Sequence, residues 1–292
     1  MPAVTPSRIP RSRRVPCRHK RPKFVTAASP ASVTGLRPGF VGFDGMRPST
    51  ASARDDLQDF LDAHLARLTE PLVMDAGCGG AMRVKLPAGA VLNGIDISPQ
   101  SAARNTILAD ILIGDVQTYP LPRRAFDIVI CWELLEHVPD PLAALSNLIA
   151  ATKPGGYIVL AFPNRTSLKG LVTRLSPHGL HVWLLRQFWG QKNAGRPGFA
   201  PFPTYMPRAL APDRLESFIQ RRNVETVFMR LYEGNRVATL RRKTPALHFL
   251  YQAFLAVLNA AVLNRRDFGL SDVLLILRPP AGQEPQAVPE AA

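Results

Sequence analysis

The sequence predicts an α/β protein built on a doubly wound, mostly parallel sheet. Short apolar segments alternate with segments of helical periodicity, and a glycine-rich turn follows the first apolar segment. Acidic residues recur where the apolar segments end. Alternating strands and helices are typical of parallel sheets, which bind their ligands at the carboxyl ends of the strands. We therefore expect the functional site at that edge.

Composition indicates one folded domain between two tails. The chain has 292 residues, 46% of them hydrophobic, which is enough for one α/β core with extensions. Of its formal net charge of +14, nine positive charges lie in residues 1–43, which contain no acid. We expect residues 1–50 to be a disordered tail rich in Pro and Arg, residues 51–280 to fold, and residues 281–292 to be a second disordered tail.

The basic tail leaves three interpretations open. It could attract nucleic acid or membranes, act as an organellar transit peptide, or be an extension upstream of a true start at Met46. Blocks of like charge are more often solvated than functional, which favours a tail without function. Cys17, Cys78 and Cys131 lie far apart and predict free thiols in a reducing cytoplasm, and no segment qualifies as a secretory signal.

The first helix is expected to begin at Ser52, an N-cap with Asp55 three residues later. Its apolar face contains Leu57, Phe60, Leu61, Leu65 and Leu68. The other elements of the first half follow in order: strands at 72–76 and 91–97, a helix capped by Ser98 and ending near 105, strands at 111–116 and 126–132, a helix opened by Asp140, and a strand at 157–162.

The turn after the first strand has the form of a nucleotide-binding loop. Gly77 and Gly79 permit a tight turn and allow backbone N–H groups to approach a ligand. Asp96, at the end of the second strand, is placed to accept hydrogen bonds from two ribose hydroxyls. Met82 stands where a dinucleotide site needs a small residue, and Pro87 leaves little room for a long helix.

The second half of the chain contains a long connection and an apolar segment. Residues 164–207 read as a connection that covers a site, and Trp183 and Trp189 could line an acceptor pocket or anchor it. A helix at 212–223 and strands at 224–231 and 272–277 complete a seven-stranded sheet. The segment 246–263 is almost wholly apolar, with His248, Gln252 and Asn259 on one helical stripe.

A helix at 246–263 that crossed a bilayer would leave the strand at 272–277 on the wrong side of the membrane to join the sheet. The sequence therefore predicts a helix that either lies in a membrane interface or is buried in a dimer.

Several segments together resemble the motifs of class I S-adenosylmethionine (AdoMet)-dependent methyltransferases. They are Asp75-Ala76-Gly77-Cys78-Gly79, Gly114-Asp115-Val116, Phe126-Asp127-Ile128-Val129, Leu135-Glu136-His137-Val138 and Lys153-Pro154-Gly155-Gly156. The match departs at Ala81, which replaces a third glycine. The resemblance implies a Rossmann-like methyltransferase sheet of seven strands with a lid insertion at about 165–207 and a C-terminal apolar helix at about 246–263.

The resemblance also implies the cofactor and its contacts. Asp96 would hold the ribose of AdoMet, Asp115 would hold the adenine amine, and Asp75, Gly77, Gly79 and Cys131 would surround the methionine part. Ile97, Val116 and Trp132 are further cofactor-binding candidates.

Methyl transfer is an in-line displacement, and a hydroxyl acceptor also needs a base to take its proton. The catalytic candidates are His137, Glu133 and His181. The segment containing Glu133, Glu136 and His137 is similar to one that metal-assisted O-methyltransferases, including those of ubiquinone biosynthesis, use to hold Mg²⁺. The same segment also occurs as a structural turn, and we expect the turn without a metal.

The acceptor is expected to be a small or lipophilic molecule, methylated at oxygen, in a cytoplasmic protein with peripheral membrane attachment. Nucleic acid is disfavoured, since Cys131-Trp132-Glu133 replaces the Asn/Asp-Pro-Pro-aromatic run of amino-methylating enzymes. Two alternatives remain: an RNA methyltransferase recruited by the basic tail, and a membrane-associated AdoMet-binding protein without turnover. The candidate partner surfaces are an anionic membrane and a second copy of the chain.

Overall fold

The computed structural model describes residues 47–281 except 81, 188, 189, 197, 198 and 200. The helices are α1 Thr50–Leu65, α2 Pro99–Ala102, α3 Pro141–Ala151, α4 Leu168–Leu175, α5 His178–Gln187, α6 Pro212–Arg221, α7 Asn235–Lys243 and α8 Pro245–Ala261. The strands are β1 Leu72–Ala76, β2 Val91–Asp96, β3 Asp110–Ile113, β4 Phe126–Trp132, β5 Thr152–Pro163, β6 Glu225–Tyr232 and β7 Asp272–Arg278. The predictions for the tails before 47 and after 281, for Ala81 and for Trp189 lie outside the described residues.

The seven strands form one sheet in the order β3-β2-β1-β4-β5-β7-β6. Strands β1 to β5 run parallel to one another, and β7 runs antiparallel to both β5 and β6. The predicted mostly parallel, seven-stranded α/β fold is therefore confirmed. From β1 the chain continues to β2 and β3, which lie toward one edge of the sheet. From β4 it continues to β5, which lies toward the other edge, so the strand order reverses between β1 and β4. A crevice at this reversal is where such sheets bind ligands.

Two apolar clusters cover the faces of the sheet. One contains buried residues of α3 and α6, including Leu145 and Phe218. The other contains the face of α1, with Leu57, Leu61 and Leu65 fully buried. Strand β4 contributes to both clusters, as expected for the continuous apolar run that predicted a strand buried on both faces.

The crossover from β1 to β2 differs from an ordinary βαβ unit, because its described residues contain no helix. Met82, Val84 and Leu86 of this connection pack against the α1 cluster instead. The side-chain amide of Gln58 in α1 accepts a hydrogen bond from Lys85 N (2.9 Å) and donates one to Lys85 O (3.0 Å). Helix α1 and an irregular segment thus cover the face that a crossover helix would otherwise occupy.

The starts of helices were predicted correctly where the N-cap residue bonds only to its neighbours in sequence. Asp140 accepts hydrogen bonds from the backbone of the first turn of α3, and Ser98 caps α2. The prediction of Ser52 as the cap of α1 was wrong, since Ser49 caps the helix and accepts from Ser52 N. Helix α1 begins earlier because Thr50 binds Glu233 O through both its N–H (3.1 Å) and its hydroxyl (3.0 Å), a contact with the end of β6.

The connection between β5 and β6 is more regular than predicted. It contains α4 and α5 where the sequence indicated only a long covering segment. Helix α7 was not predicted. None of its residues is buried, so it lacks the periodic apolar face that reveals a packed helix in a sequence. In the part of the chain that the structure describes, no helix is long and apolar enough to cross a membrane.

Candidate active site

The glycine loop is closed against the end of β2. Gly77 and Gly79 have φ angles of +72° and +44°, a left-handed conformation that favours glycine. The N–H groups of Gly77 and Cys78 donate to Ile95 O at 2.8 and 3.3 Å. A Cβ atom at Gly94 would lie 2.7 Å from Cys78 Sγ, so the loop packs directly on the β2 backbone.

Asp96 lies against this loop. Its Oδ2 accepts from Gly79 N at 3.0 Å, and its Oδ1 accepts from Ser98 N at 2.8 Å. A carboxylate offers about four acceptor positions, so each oxygen can still accept from a ligand hydroxyl. The next residue, Ile97, is 71% exposed and offers an apolar surface beside the carboxylate. The structure thus brings Gly77, Gly79, Asp96 and Ile97 together at the carboxyl edge.

Asp115 is held by a residue that the sequence did not single out. The side-chain amide of Gln117 donates to both carboxylate oxygens of Asp115, at 2.9 and 2.8 Å, and its own oxygen accepts from Asp140 N at 2.8 Å. Gln117 therefore links Asp115 to the start of α3. Val116 is buried in the core, and its carbonyl accepts from Asn147. Any cofactor contact of Val116 is consequently restricted to its main chain.

Asp75 is a buried carboxyl group close to Asp96. Burial, with a smaller contribution from Asp96, raises its pKa to about 7, and Arg83 opposes this shift. Burial and the charges of Asp75 and Asp96 raise the pKa of Cys78 to about 12. Burial likewise raises the pKa of Cys131. Both thiols therefore stay protonated at neutral pH and are not nucleophiles. Two neighbouring carboxyl groups at this edge fit a ligand that carries positive charge, as AdoMet does.

The end of β4 carries Trp132 and Glu133. Trp132 is half-buried beside α1, with the Arg54 guanidinium 5.7 Å from its ring centroid. Glu133 has a φ of +53°, which is uncommon outside glycine and is often found at functional sites. Its backbone N–H donates to Ala161 O at 2.7 Å, and its carboxylate lies 3.8 Å from Arg83 Nη2. Glu133 thus turns toward the segment after the glycine loop.

Glu136 and His137 form the following 3₁₀ turn. Glu136 is only 2% exposed, burial raises its pKa to about 8, and its Oε2 has no hydrogen-bond partner among the described residues. His137 Nδ1 lies 2.7 Å from Pro203 O and must therefore donate to it, which leaves the lone pair of the neutral ring on Nε2. Burial lowers the pKa of His137, so the ring is neutral at pH 7.

The three candidate metal ligands Glu133, Glu136 and His137 do not form a common binding site. Glu133 pairs with Arg83, and His137 Nε2 is 3.8 Å from Glu136 Oε1. Within the residues that the structure describes, no group of three His, Cys, Asp or Glu side chains could hold a metal ion. The residues present at this turn therefore do not fit a resident Mg²⁺.

Part of the predicted lid lies directly on this turn. The N–H groups of Tyr205 and Met206 donate to Glu136 O at 2.9 and 3.2 Å. The Arg165 guanidinium binds Met206 O. With the contact between Pro203 and His137, these bonds hold residues 203–206 against the end of β4.

His181 lies elsewhere in the lid region. Its Nε2 is 2.5 Å from Ser176 Oγ, which itself donates to Val172 O. Ser176 must therefore accept the proton of His181, and the ring connects α4 to α5. This hydrogen bond gives His181 a structural role and does not support the prediction that it acts as a catalytic base.

The structure adds a partly buried ion pair that the sequence did not indicate. Lys169 Nζ lies 2.6 Å from Asp272 Oδ1, and Asp272 Oδ2 accepts from Ser271 Oγ at 2.6 Å. Asp272 pairs with Pro163 at the end of β5, so this bond attaches α4 to the carboxyl edge. A single Asp before an apolar strand gave no signal of this role.

Comparison with known proteins identifies the family of the chain. A family model described as a methyltransferase domain matches residues 50–209, more than half of the chain. The chain belongs to this family of AdoMet-dependent, class I methyltransferases.

Two relatives carry the name ubiquinone biosynthesis O-methyltransferase. One, from Histophilus somni, is 35% identical over 113 residues, which are 34% of this chain and 48% of the relative. One from Xanthomonas campestris pv. campestris is 33% identical over 141 residues, 41% of this chain and 59% of the relative. The chain therefore spans about half the length of the curated relatives it matches. A crystal structure of a SAM-dependent methyltransferase from Methanosarcina mazei aligns at 16% identity and a TM-score of 0.46, over 76% of this chain and 97% of that chain.

Proposed function

We propose that this protein transfers the methyl group of AdoMet to a hydroxyl oxygen of a small or lipophilic acceptor. The observation that carries the proposal is the carboxyl edge at the β1/β4 reversal, where the glycine loop and Asp96 are hydrogen-bonded to each other. AdoMet supplies a methyl group activated by the sulfonium charge. Asp96 would bind the ribose and Asp115 the adenine amine, while Asp75 and the glycine loop would hold the methionine part.

His137 is the proposed base. Its Nε2 carries the lone pair because Nδ1 donates to Pro203, and its lowered pKa keeps the ring neutral and able to accept a proton. Residues 203–206 would exclude water above it. Acceptance of a hydroxyl substrate is supported by the relatives named O-methyltransferases. Glu133 would position this turn through Arg83.

For its place in the cell, we propose a cytoplasmic protein that attaches peripherally to a membrane, from which a lipophilic acceptor would reach the lid region. A large exposed apolar surface on α8 supports this attachment. A homodimer that buries the same surface is the alternative, and its test is described with that surface. We propose residues 51–280 as the methyltransferase domain.

Isothermal titration with AdoMet, followed by transfer of labelled methyl groups to lipid and metabolite extracts, tests the proposal. The expected result is AdoMet binding that Asp96→Ala weakens, and label in an extractable small molecule. Absence of AdoMet binding would refute the proposal. Binding without transfer would favour an AdoMet-binding protein without turnover. Transfer to RNA that is abolished when residues 1–45 are deleted would favour the RNA methyltransferase.

A further inference from the structure

Helix α8 exposes its apolar side and turns its polar side toward the protein, which is the reverse of an ordinary surface helix. Its exposed positions are all apolar, and its polar residues lie on the half-buried side. The exposed large side chains are Leu247 (54%), Phe249 (71%), Leu250 (62%), Phe254 (51%) and Val257 (67%), with Leu263 (74%) just after the helix. We call these six residues the outer face. A monomer rarely exposes a continuous apolar surface of this kind without a partner.

The orientation of α8 is held by hydrogen bonds on its inner side. Arg47 bonds to Gln252 Oε1 and to Asp267 Oδ2, both at 2.6 Å. Asn259 donates to Asp267 Oδ1 at 3.2 Å and accepts from Phe268 N at 3.0 Å. Rotating the helix to hide the outer face would break this network and leave its polar groups unsatisfied. The outer face is thus a fixed feature of the fold.

Positive charge lies at both ends of the outer face. Arg242 and Lys243 are exposed just before α8, and Arg265 and Arg266 are exposed just after it. Residues 234–266 contain no Asp or Glu. The last two arginines line an open pocket of about 370 Å³ together with Ala261, Val262, Leu263 and Phe268. Such a pocket combines an apolar wall with two cations, as a phosphate headgroup and the start of its acyl chain require.

We propose that the outer face of α8 docks on an anionic phospholipid bilayer, with Arg265 and Arg266 binding a lipid phosphate. The helix has 17 residues and is about 25 Å long, which suits a helix lying in the plane of the interface. Its apolar side chains would enter the acyl region, while the cations at both ends remain among the headgroups.

The charge pattern favours a bilayer over a second copy of the chain. In a twofold dimer the same patch faces itself. The basic ends of one α8 would then face those of the other, with no acid in residues 234–266 to pair with them. An anionic bilayer offers both an apolar interior and opposite charge. This proposal deepens the proposed function, since it names the surface from which a lipophilic acceptor would arrive, but docking itself requires no methyl transfer.

Vesicle sedimentation of the full chain tests the proposal, with phosphatidylcholine alone and with phosphatidylcholine containing phosphatidylglycerol. We expect binding that requires the anionic lipid and weakens with salt. Phe249→Ser with Phe254→Ser should weaken binding at least about tenfold, because two large apolar side chains no longer enter the bilayer. Phe249→Leu with Phe254→Leu keeps the surface apolar and should largely retain binding.

Arg265→Gln with Arg266→Gln should reduce the preference for the anionic lipid. Arg67→Gln with Arg123→Gln, two exposed arginines outside α7 and α8, is the matched control for charge and should have less effect. AdoMet titration of each variant establishes that it is folded, and it separates failure of docking from failure of the proposed function. A monomer that ignores vesicles, a stable dimer that ignores vesicles, or equal binding by the Ser and Leu variants would each overturn the proposal.

Discussion

Asp75→Asn should change how the stability of the protein depends on pH. Burial raises the pKa of Asp75 from 3.8 to about 7 in the folded protein. The folded state therefore binds this proton more tightly than the unfolded state, and the resulting stability is present below pH 3.8 and lost as the pH rises through about 7. At about 1.4 kcal/mol for each pKa unit, the loss amounts to about 4 kcal/mol.

The asparagine amide has nearly the same shape as the carboxyl group and no proton to lose. We expect its free energy of unfolding, relative to wild type, to rise by about 1.4 kcal/mol per pH unit between about pH 5 and 7, and then to level off. Urea unfolding of the two proteins at a series of pH values measures this difference. Asp59→Asn removes a charge from an exposed position of α1 and controls for net charge. Parallel stability curves for wild type and Asp75→Asn would refute the argument.

The same carboxyl group should couple AdoMet binding to pH. A cationic ligand beside Asp75 favours the ionised form, so wild-type affinity for AdoMet should increase as the pH rises through about 7. The Asp75→Asn variant should lack this increase. Calorimetric titration with AdoMet at pH 6 and pH 8 compares the wild type with the variant. An identical pH dependence of affinity in both proteins would show that Asp75 does not contact the cofactor.

Three further predictions concern the edge of the sheet. Asp96→Ala should weaken AdoMet binding by roughly 2–4 kcal/mol in calorimetry, since two charge-assisted hydrogen bonds are lost; unchanged affinity would contradict the assignment. His137→Gln should lower kcat by about 10²–10⁴-fold with AdoMet affinity retained. At saturating AdoMet, where the effect of Asp75 on cofactor binding no longer limits the rate, wild-type kcat should fall only below pH 6.5, because burial lowers the pKa of His137 and protonation removes the base. A loss of kcat that begins above pH 6.5 would exclude His137 as the base. Excess chelator should leave turnover intact, since Glu133, Glu136 and His137 do not converge; lost turnover with normal AdoMet binding would reinstate a metal.

Most strands could be predicted from the sequence because each is a short apolar run with a clear end. Strands β1 and β4 were predicted with their observed bounds, 72–76 and 126–132, and the end of β2 was predicted one residue too late. Asp75, Gly77, Gly79 and Asp96 were placed at one edge because parallel strands bring their carboxyl ends together. Asp140 and Ser98 were recognised as caps because an N-cap is decided by residues two or three positions away.

Other features depend on contacts between distant segments, which periodicity does not contain. Ser49 caps α1 because Thr50 meets Glu233, 183 residues later. Gln117 was missed because its role requires both Asp115 and Asp140 to be in place. The tautomer of His137 depends on Pro203, 66 residues away, and so does its suitability as a base.

Helix α8 shows most clearly the difference between what a helical sequence pattern predicts and what contacts between distant segments add. The sequence predicted an apolar helix at 246–263, close to the observed α8, and placed His248, Gln252 and Asn259 on one side of it. It did not determine which way that side points, because helical periodicity gives the angles between side chains but not the rotation of the helix against the body. Arg47 and Asp267 set that rotation, because Arg47 donates to Gln252 and Asp267 accepts from Asn259 on the inner side of the helix. The outward direction of the apolar side of α8 therefore follows from these long-range contacts and not from the helical pattern.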